Sequence, residues 1–253
     1  MQRTVLALMA HPDDAEMLCA GTLIRLKREH GWEVHIATMT AGDCGSAELG
    51  PEEIARIRRG EGAAAAAVIA AHYHCLEERD LLVDYTPAAL HKTVELLCAV
   101  RPQIILTHTP GDYHLDHDMT SLLARAAAFA APIPNFMHGQ RQHPPLDRIP
   151  HLYYCDPVEG KDAFGQPVPV GFCIDISSVI DTKAEMLQQH HSQRQWLIKH
   201  HGMDDFADEM RKHSGRRGHE CGVAYAEGYR QHRGHSFPQD NLLGAILGEL
   251  KPA

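Results

Sequence analysis

Val5-Leu6-Ala7-Leu8-Met9-Ala10-His11-Pro12-Asp13-Asp14-Ala15-Glu16 is the stretch that decides the fold. The apolar run Val5–Met9 reads as a buried strand, and Leu18, Leu23, Ile24 and Leu26 continue in a helical period. Pro12 suits a first helical turn, and the carboxylates of Asp13, Asp14 and Glu16 suit the positive end of a helix dipole. One imidazole and two adjacent carboxylates therefore fall at the carboxyl end of a strand, the edge at which open α/β sheets place their sites. Acidic residues at a helix start also serve simply as caps. A second polar cluster argues against that simpler reading. Ile104-Ile105-Leu106 leads into Thr107-His108-Thr109-Pro110-Gly111-Asp112-Tyr113-His114-Leu115-Asp116-His117-Asp118, so a second strand ends in the same kinds of residue.

Working outward, Glu33–Met39 reads as a second strand ending in the Gly-rich loop Thr40–Ser46, expected to form a flexible pocket wall. No Lys-Ser/Thr follows its glycines, so it is no phosphate-binding loop. A long Ala-rich helix is expected over 52–71, a strand over 73–76, a helix over 87–100, a strand over 103–107 and a helix over 117–130. Residues 132–150 lack a period and read as a long loop, either a lid or an oligomer contact. Strands follow at 151–155 and 171–176, and a helix over 181–200 carries His190-His191-Ser192-Gln193. The segment 201–253 alternates charged and Gly-containing pieces packed on the rest. Strands alternating with helices predict one domain over 1–253: an α/β, Rossmann-like, mostly parallel doubly wound sheet with helices on both faces.

Composition narrows the function. A chain of 253 residues with net charge −9 carries no basic run, which argues against nucleic acid and anionic membrane as partners. The N-terminus reads as a core strand, not a signal peptide, and no apolar stretch approaches membrane-spanning length. Seven scattered cysteines without a C-x-x-C pair fit reduced thiols and a cytoplasmic setting. Of twenty histidines only a few can converge on one point; His72, His74, His138, His143 and His151 read as surface residues.

Histidine and carboxylate ligands with an open position compose a catalytic zinc site, whereas structural zinc is usually closed by cysteine. His11 and Asp14 are three apart around a turn, and His114 and His117 repeat that spacing. If either of the latter completes a His-Asp-His set, the other histidine and Asp13 are left flanking a metal-bound water. Such a set also accepts Fe2+ or Co2+.

These motifs resemble the LmbE-like or PIG-L family of zinc-dependent N-deacetylases, in the Ala10–Asp14 stretch and in His114–His117. Thr40-Ala41-Gly42-Asp43, Arg58-Arg59-Gly60-Glu61, Asp175-Ile176 with Lys183, His190-His191-Ser192-Gln193 and Tyr225-Ala226-Glu227 resemble further family segments, so the likeness runs from about residue 4 to 230. It implies zinc on His11, Asp14 and His117, Asp13 as general base, and His114 as an imidazolium that stabilises the oxyanion, oriented by Asp116. It also implies a homo-oligomer. Arg58, Asp43 and Asp112 become candidate substrate contacts, while His108, His190 and Glu227 read as supporting residues. The mycothiol branch has a Tyr two residues before the first His of His-x-Asp-His. That position here is Asp112, which brings the chain closer to the bacillithiol-pathway and general sugar-deacetylase branches.

The expected activity is removal of an N-acetyl group from an N-acetylglucosamine-type amino sugar or its conjugate. The alternatives are an amidase for a bulkier thiol-sugar conjugate, favoured by a large apolar pocket around 132–150, and a non-catalytic nucleotide- or metal-binding module. The missing G-x-G-x-x-G after the first strand argues against nucleotide binding. Retention of Asp13 and His114 argues against mere metal storage.

Overall fold

The computed structural model describes residues 3–193 and 206–252. Its centre is β1 (Thr4–Met9), all six residues of which are buried. Val5, Ala7 and Met9 point into one apolar layer and Leu6 and Leu8 into another, because successive side chains leave opposite faces of the sheet. A strand covered on both sides needs an unbroken apolar run, and that is what the sequence supplies there.

β2 (Glu33–Thr40), β3 (His72–Glu78), β4 (Ile104–Thr107), β5 (His151–Cys155), β6 (Phe172–Asp175) and β7 (Ala226–Gln231) complete one seven-stranded sheet in the order β3-β2-β1-β4-β5-β7-β6. The pairings from β3 to β5 are parallel; β7 runs antiparallel between β5 and β6. The chain steps outward from β1 through β2 and β3, then returns to the other side of β1 with β4 and β5. The reversal leaves a crevice between the carboxyl ends of β1 and β4.

The helices bounded among the described residues are α1 (Asp14–Leu18), α2 (Ala20–His30), α3 (Pro51–Ala67), α4 (Pro87–Val100), α5 (Leu115–Ala130), α6 (Ile180–Leu187), α7 (Phe206–Cys221) and α8 (Leu242–Leu247). α4 and α5 cover the face that presents Leu6 and Leu8, and the others pack on the Val5–Met9 face. Among the described residues no helix is long and apolar enough to cross a membrane.

Several expectations need correction. Pro12 lies in the turn before α1 rather than in its first turn. α3 stops at Ala67, where Ala70 takes a φ of 52° and the Ala71 N–H reaches back to the Ala66 carbonyl. The helix expected over 181–200 ends at Leu187; Gln188 and Gln189 turn the chain so that His190 enters the interior, and 194–200 lie outside the described residues. The segment 201–253, for which the sequence suggests no particular elements, supplies α7, the strand β7 and α8 in its described part. The 132–150 loop is no lid. Arg141 donates to the carbonyls of Ala131, Ile133 and Phe136 and pins it to the far end of α5, a helix of 16 residues and so about 24 Å long.

Candidate metal-dependent active site

The turn after β1 delivers His11, Asp13 and Asp14, and the N-terminus of α5 delivers His114, Asp116 and His117. Asp13 holds the N-cap position of α1 at a φ of 98° yet makes no capping hydrogen bond, so helix capping does not account for its carboxylate. That carboxylate faces Arg58 instead, 3.4 Å from Nη2. Asp14 folds back to accept the His11 backbone N–H at 2.7 Å, which sets its oxygens beside three imidazoles. His11 Nδ1 lies 3.3 Å away, His108 Nε2 3.2 Å and His117 Nε2 3.6 Å.

His11, Asp14 and His117 offer donor atoms within 4.8 Å of one another. Ligands held roughly 2.0–2.1 Å from zinc stand about 3.3 Å apart at the corners of a tetrahedron, close to the Asp14 distances. The other nitrogen of each imidazole is backed by a carboxylate. His11 Nε2 is 3.2 Å from both Asp80 and Asp116, and His117 Nδ1 is 3.0 Å from Asp112. Carboxylates behind metal-binding histidines fix the tautomer and the ring orientation. The groups His11–His114–Asp116 and His108–Asp112–His117 overlap this one. Only His11–Asp14–His117 leaves the backing carboxylates free to act as backing. The donor set suits a divalent cation.

The electrostatics agree. Burial would lower the proton affinity of His11, but Asp116, Asp14 and Asp80 outweigh it and hold the imidazole well above its usual range; His117 is raised in the same way by Asp14 and Asp112. Burial would raise Asp14, and the surrounding imidazoles of His117, His108 and His11 hold it well below instead. A field that draws protons to two imidazoles also draws a cation. Asp13 differs: burial pushes its carboxyl up to about 6, with Asp14 adding to the rise and Arg58 opposing it. That suits a base working near neutrality.

A cavity of about 310 Å3 opens over the cluster, walled also by Cys44, Gly45, Leu81, Tyr113 and Gln193. It stands at the small end of the range for ligand sites, roughly 300–1,000 Å3.

Residues 6–128 match the PIG-L family, described as GlcNAc-PI de-N-acetylase. That stretch, just under half of the chain, is similar to the PIG-L (LmbE-like) family. It is 25% identical over 195 residues to a 4-oxalmesaconate hydratase of Pseudomonas putida, covering 74% of this chain and 72% of that protein. It is 27% identical over 199 residues to a diacetylchitobiose deacetylase of Thermococcus kodakarensis, covering 76% and 70%. Its fold superposes on the N,N'-diacetylchitobiose deacetylase of Pyrococcus horikoshii with a TM-score of 0.77 at 23% identity, covering 95% of this chain and 88% of that one.

The other motifs that resemble the PIG-L family fall around this cavity or behind it. Arg58 is not a surface charge: it is 3% exposed, lines the cavity, and donates to the carbonyls of Pro12 and Gly42 while facing Asp13. Gly42 has a φ of 68°, and a Cβ there would meet the Arg58 guanidinium. Glu61, one turn along, accepts from Ser192 N–H and Oγ–H, joining α3 to the His190–Gln193 segment. Glu227 caps α2, accepting from the N–H groups of Gly21 and Thr22 while paired with buried Lys183 at 2.7 Å.

Three of the expected residues make contacts the sequence does not reveal. Asp43 is not among the cavity walls; it accepts from the Asp80 N–H and faces Arg79 at 2.6 Å, so it shapes the loop that brings Asp80 to His11. Asp112 is 3% exposed, is not among the cavity walls, and faces His117 Nδ1 at 3.0 Å. The Asp116 carboxylate meets His11 and accepts from the N–H groups of Leu81 and Val83; only its backbone N–H touches His114, donating to Nδ1 at 3.1 Å. The Asp116 N–H occupies the His114 Nδ1 lone pair, and burial with His11 and His117 lowers the His114 pKa; both favour a neutral ring with its proton on Nε2. Nothing in the sequence singles out Asp80, because Glu77-Glu78-Arg79-Asp80 looks like any solvated loop.

Proposed function

We propose that this protein is a metal-dependent hydrolase that removes the N-acetyl group of an N-acetylglucosamine-type amino sugar or its conjugate. The observation that carries the reading is that Asp13 and His114 line one cavity with a carboxylate-backed His11–Asp14–His117 set, in a chain whose residues 6–128 match the PIG-L family. The likeness to the Thermococcus kodakarensis diacetylchitobiose deacetylase supports the substrate class.

His11, Asp14 and His117 would hold Zn2+, with Fe2+ or Co2+ as substitutes the donor set accepts. Such an ion supplies Lewis acidity, lowering the pKa of bound water towards ~7 and polarising a carbonyl. Asp13 takes the proton as water adds to the acetyl carbon. Neutral His114 donates its Nε2–H to the oxygen on which charge develops, a contribution of roughly 3–4 kcal/mol for a well-placed donor. When the C–N bond breaks, the proton held by Asp13 passes to the departing amine. His114 is poorly suited to that last role, because losing its single proton would leave an imidazolate. Arg58 keeps Asp13 in place from behind and limits how far burial raises its pKa.

A second reading, addition of water across a carbon–carbon double bond of a small unsaturated acid, is favoured by the likeness to the Pseudomonas putida hydratase. One base serves both reactions. The bulkier amidase reading loses its support, because the 132–150 loop contributes nothing to the cavity wall. The test is amine release from N-acetylglucosamine and N,N'-diacetylchitobiose by zinc-loaded protein, beside Asp13→Asn and beside hydration of an unsaturated oxo-acid. The expected result is deacetylation that falls roughly 10^2–10^4-fold in Asp13→Asn with metal content unchanged. Hydration without amine release, or full activity in Asp13→Asn, would overturn it.

A further inference from the structure

At the other end of the sheet, where β2 and β3 begin, Glu33, His35, His72 and His74 leave the same face of the two strands. His35 pairs directly with His72 in the parallel register, and Glu33 and His74 stand two residues away along each strand. His72 Nε2 lies 3.3 Å from Glu33 Oε1, and His35 Nε2 lies 3.8 Å from the same oxygen. The three donors fall within 4.8 Å of one another, near the spacing found at the active site. His35 Nδ1 sits 2.9 Å from His74 Nε2. The rings of His72 and His74 both stack on His35, with centroids 4.7 Å and 5.2 Å from it.

We propose that Glu33, His35 and His72 form a second, peripheral binding site for a borderline transition-metal ion such as Zn2+ or Cu2+, with His74 as its supporting residue. The hydrogen bond with His74 is what makes the cluster a site. If His35 donates Nδ1–H to His74, its lone pair sits on Nε2, facing Glu33 and His72, the same arrangement that carboxylates impose on His11 and His117. Two imidazoles and one carboxylate leave a coordination position for water. The donor types exclude Mg2+ and Ca2+, which take oxygen ligands. The His72 side chain is 57% exposed and Glu33 27%, so an ion enters and leaves freely. β3 is an edge strand of the sheet, and an ion here clips that edge to its neighbour. The site lies at least about 16 Å from the strand ends that carry the catalytic residues, counting from His35 to Thr40 at roughly 3.3 Å per residue.

The test titrates chelator-stripped full-length protein with Zn2+ alone, comparing wild type, His72→Ala, His35→Ala, His74→Phe and a His11→Ala/Asp14→Ala variant. Because the His72 side chain is 57% exposed, its removal is expected to leave the fold intact. Wild type is expected to bind one equivalent more than His72→Ala or His35→Ala, and His11→Ala/Asp14→Ala is expected to retain that equivalent. His74→Phe should weaken it by about 10–100-fold. Excess Zn2+ should raise the thermal midpoint of His11→Ala/Asp14→Ala but not that of the same variant carrying His72→Ala. Equal stoichiometry and affinity in wild type, His72→Ala and His35→Ala would overturn the proposal. A failure of the active-site assignment would show separately, as a His11→Ala/Asp14→Ala variant that binds no less zinc than wild type.

Discussion

Asp116→Asn separates two accounts of the same residue. If Asp116 acts through His114, the substitution slows chemistry and leaves metal affinity alone. The geometry says the opposite, because its carboxylate is 3.2 Å from His11 Nε2 and only its backbone N–H reaches His114. Removing a partner behind a metal ligand typically weakens the metal about 10–100-fold, or about 1.4–2.8 kcal/mol. Asp80 stands at the same 3.2 Å from the same nitrogen and keeps one acceptor there, so the single change belongs at the low end, about 10-fold. Asp80→Asn/Asp116→Asn should move towards about 100-fold. The assay is competition for Zn2+ against a chelating dye, paired with amine release at saturating zinc. The backbone N–H of residue 116 survives both variants, so kcat at saturating metal should stay close to wild type. An unchanged zinc affinity together with a large fall in kcat would refute the reasoning.

Further outcomes follow from the same contacts. Lys183→Met strands the Glu227 carboxylate in a fully buried place, with Gly21 N–H, Thr22 N–H and the Tyr229 hydroxyl as its remaining partners among the described residues; urea unfolding should register a loss of about 3–5 kcal/mol, and a loss under ~1 kcal/mol would contradict it. Gly42→Ala forces a Cβ into the Arg58 guanidinium at a positive φ, so it should cost about 1–3 kcal/mol and depress kcat by releasing Asp13, both checked on one purified variant. Asp13 must be ionised to accept a proton, so kcat/KM should rise with pH through its acid limb. Burial sets the pKa near 6 and a neighbouring divalent cation lowers it, so the limb should lie at or below pH 6. A limb above pH 7 would remove Asp13 from that role.

What the sequence made legible was what local rules govern. The apolar run at 5–9 could only be a strand covered on both faces, and the two polar clusters at strand ends pointed to one edge of the sheet. Side-chain partnership was not legible. Asp43, Asp112 and Asp116 sit in the right motifs, but which imidazole or loop each carboxylate meets depends on pairing distances across the sheet that no local spacing encodes. β7 was invisible for a related reason. Ala-Glu-Gly-Tyr-Arg-Gln lacks strand propensity, and it is extended because β5 and β6 flank it and α2 needs its carboxylate. His72 and His74 looked like solvent-facing residues because their partners lie on the neighbouring strand.

The bond between Glu227 and the start of α2 spans 206 residues. At a synthesis rate of roughly 5–20 residues per second, Glu227 is made about 10–40 s after Gly21. From the synthesis of His117 onward, about the later half of that interval, the nascent chain holds every residue of the candidate metal set, while α2 begins with two unsatisfied N–H groups and Lys183, once made, awaits its counter-charge. The central strand is thus born first and sealed last, and the half-made molecule is the form in which a chaperone or a protease would meet it.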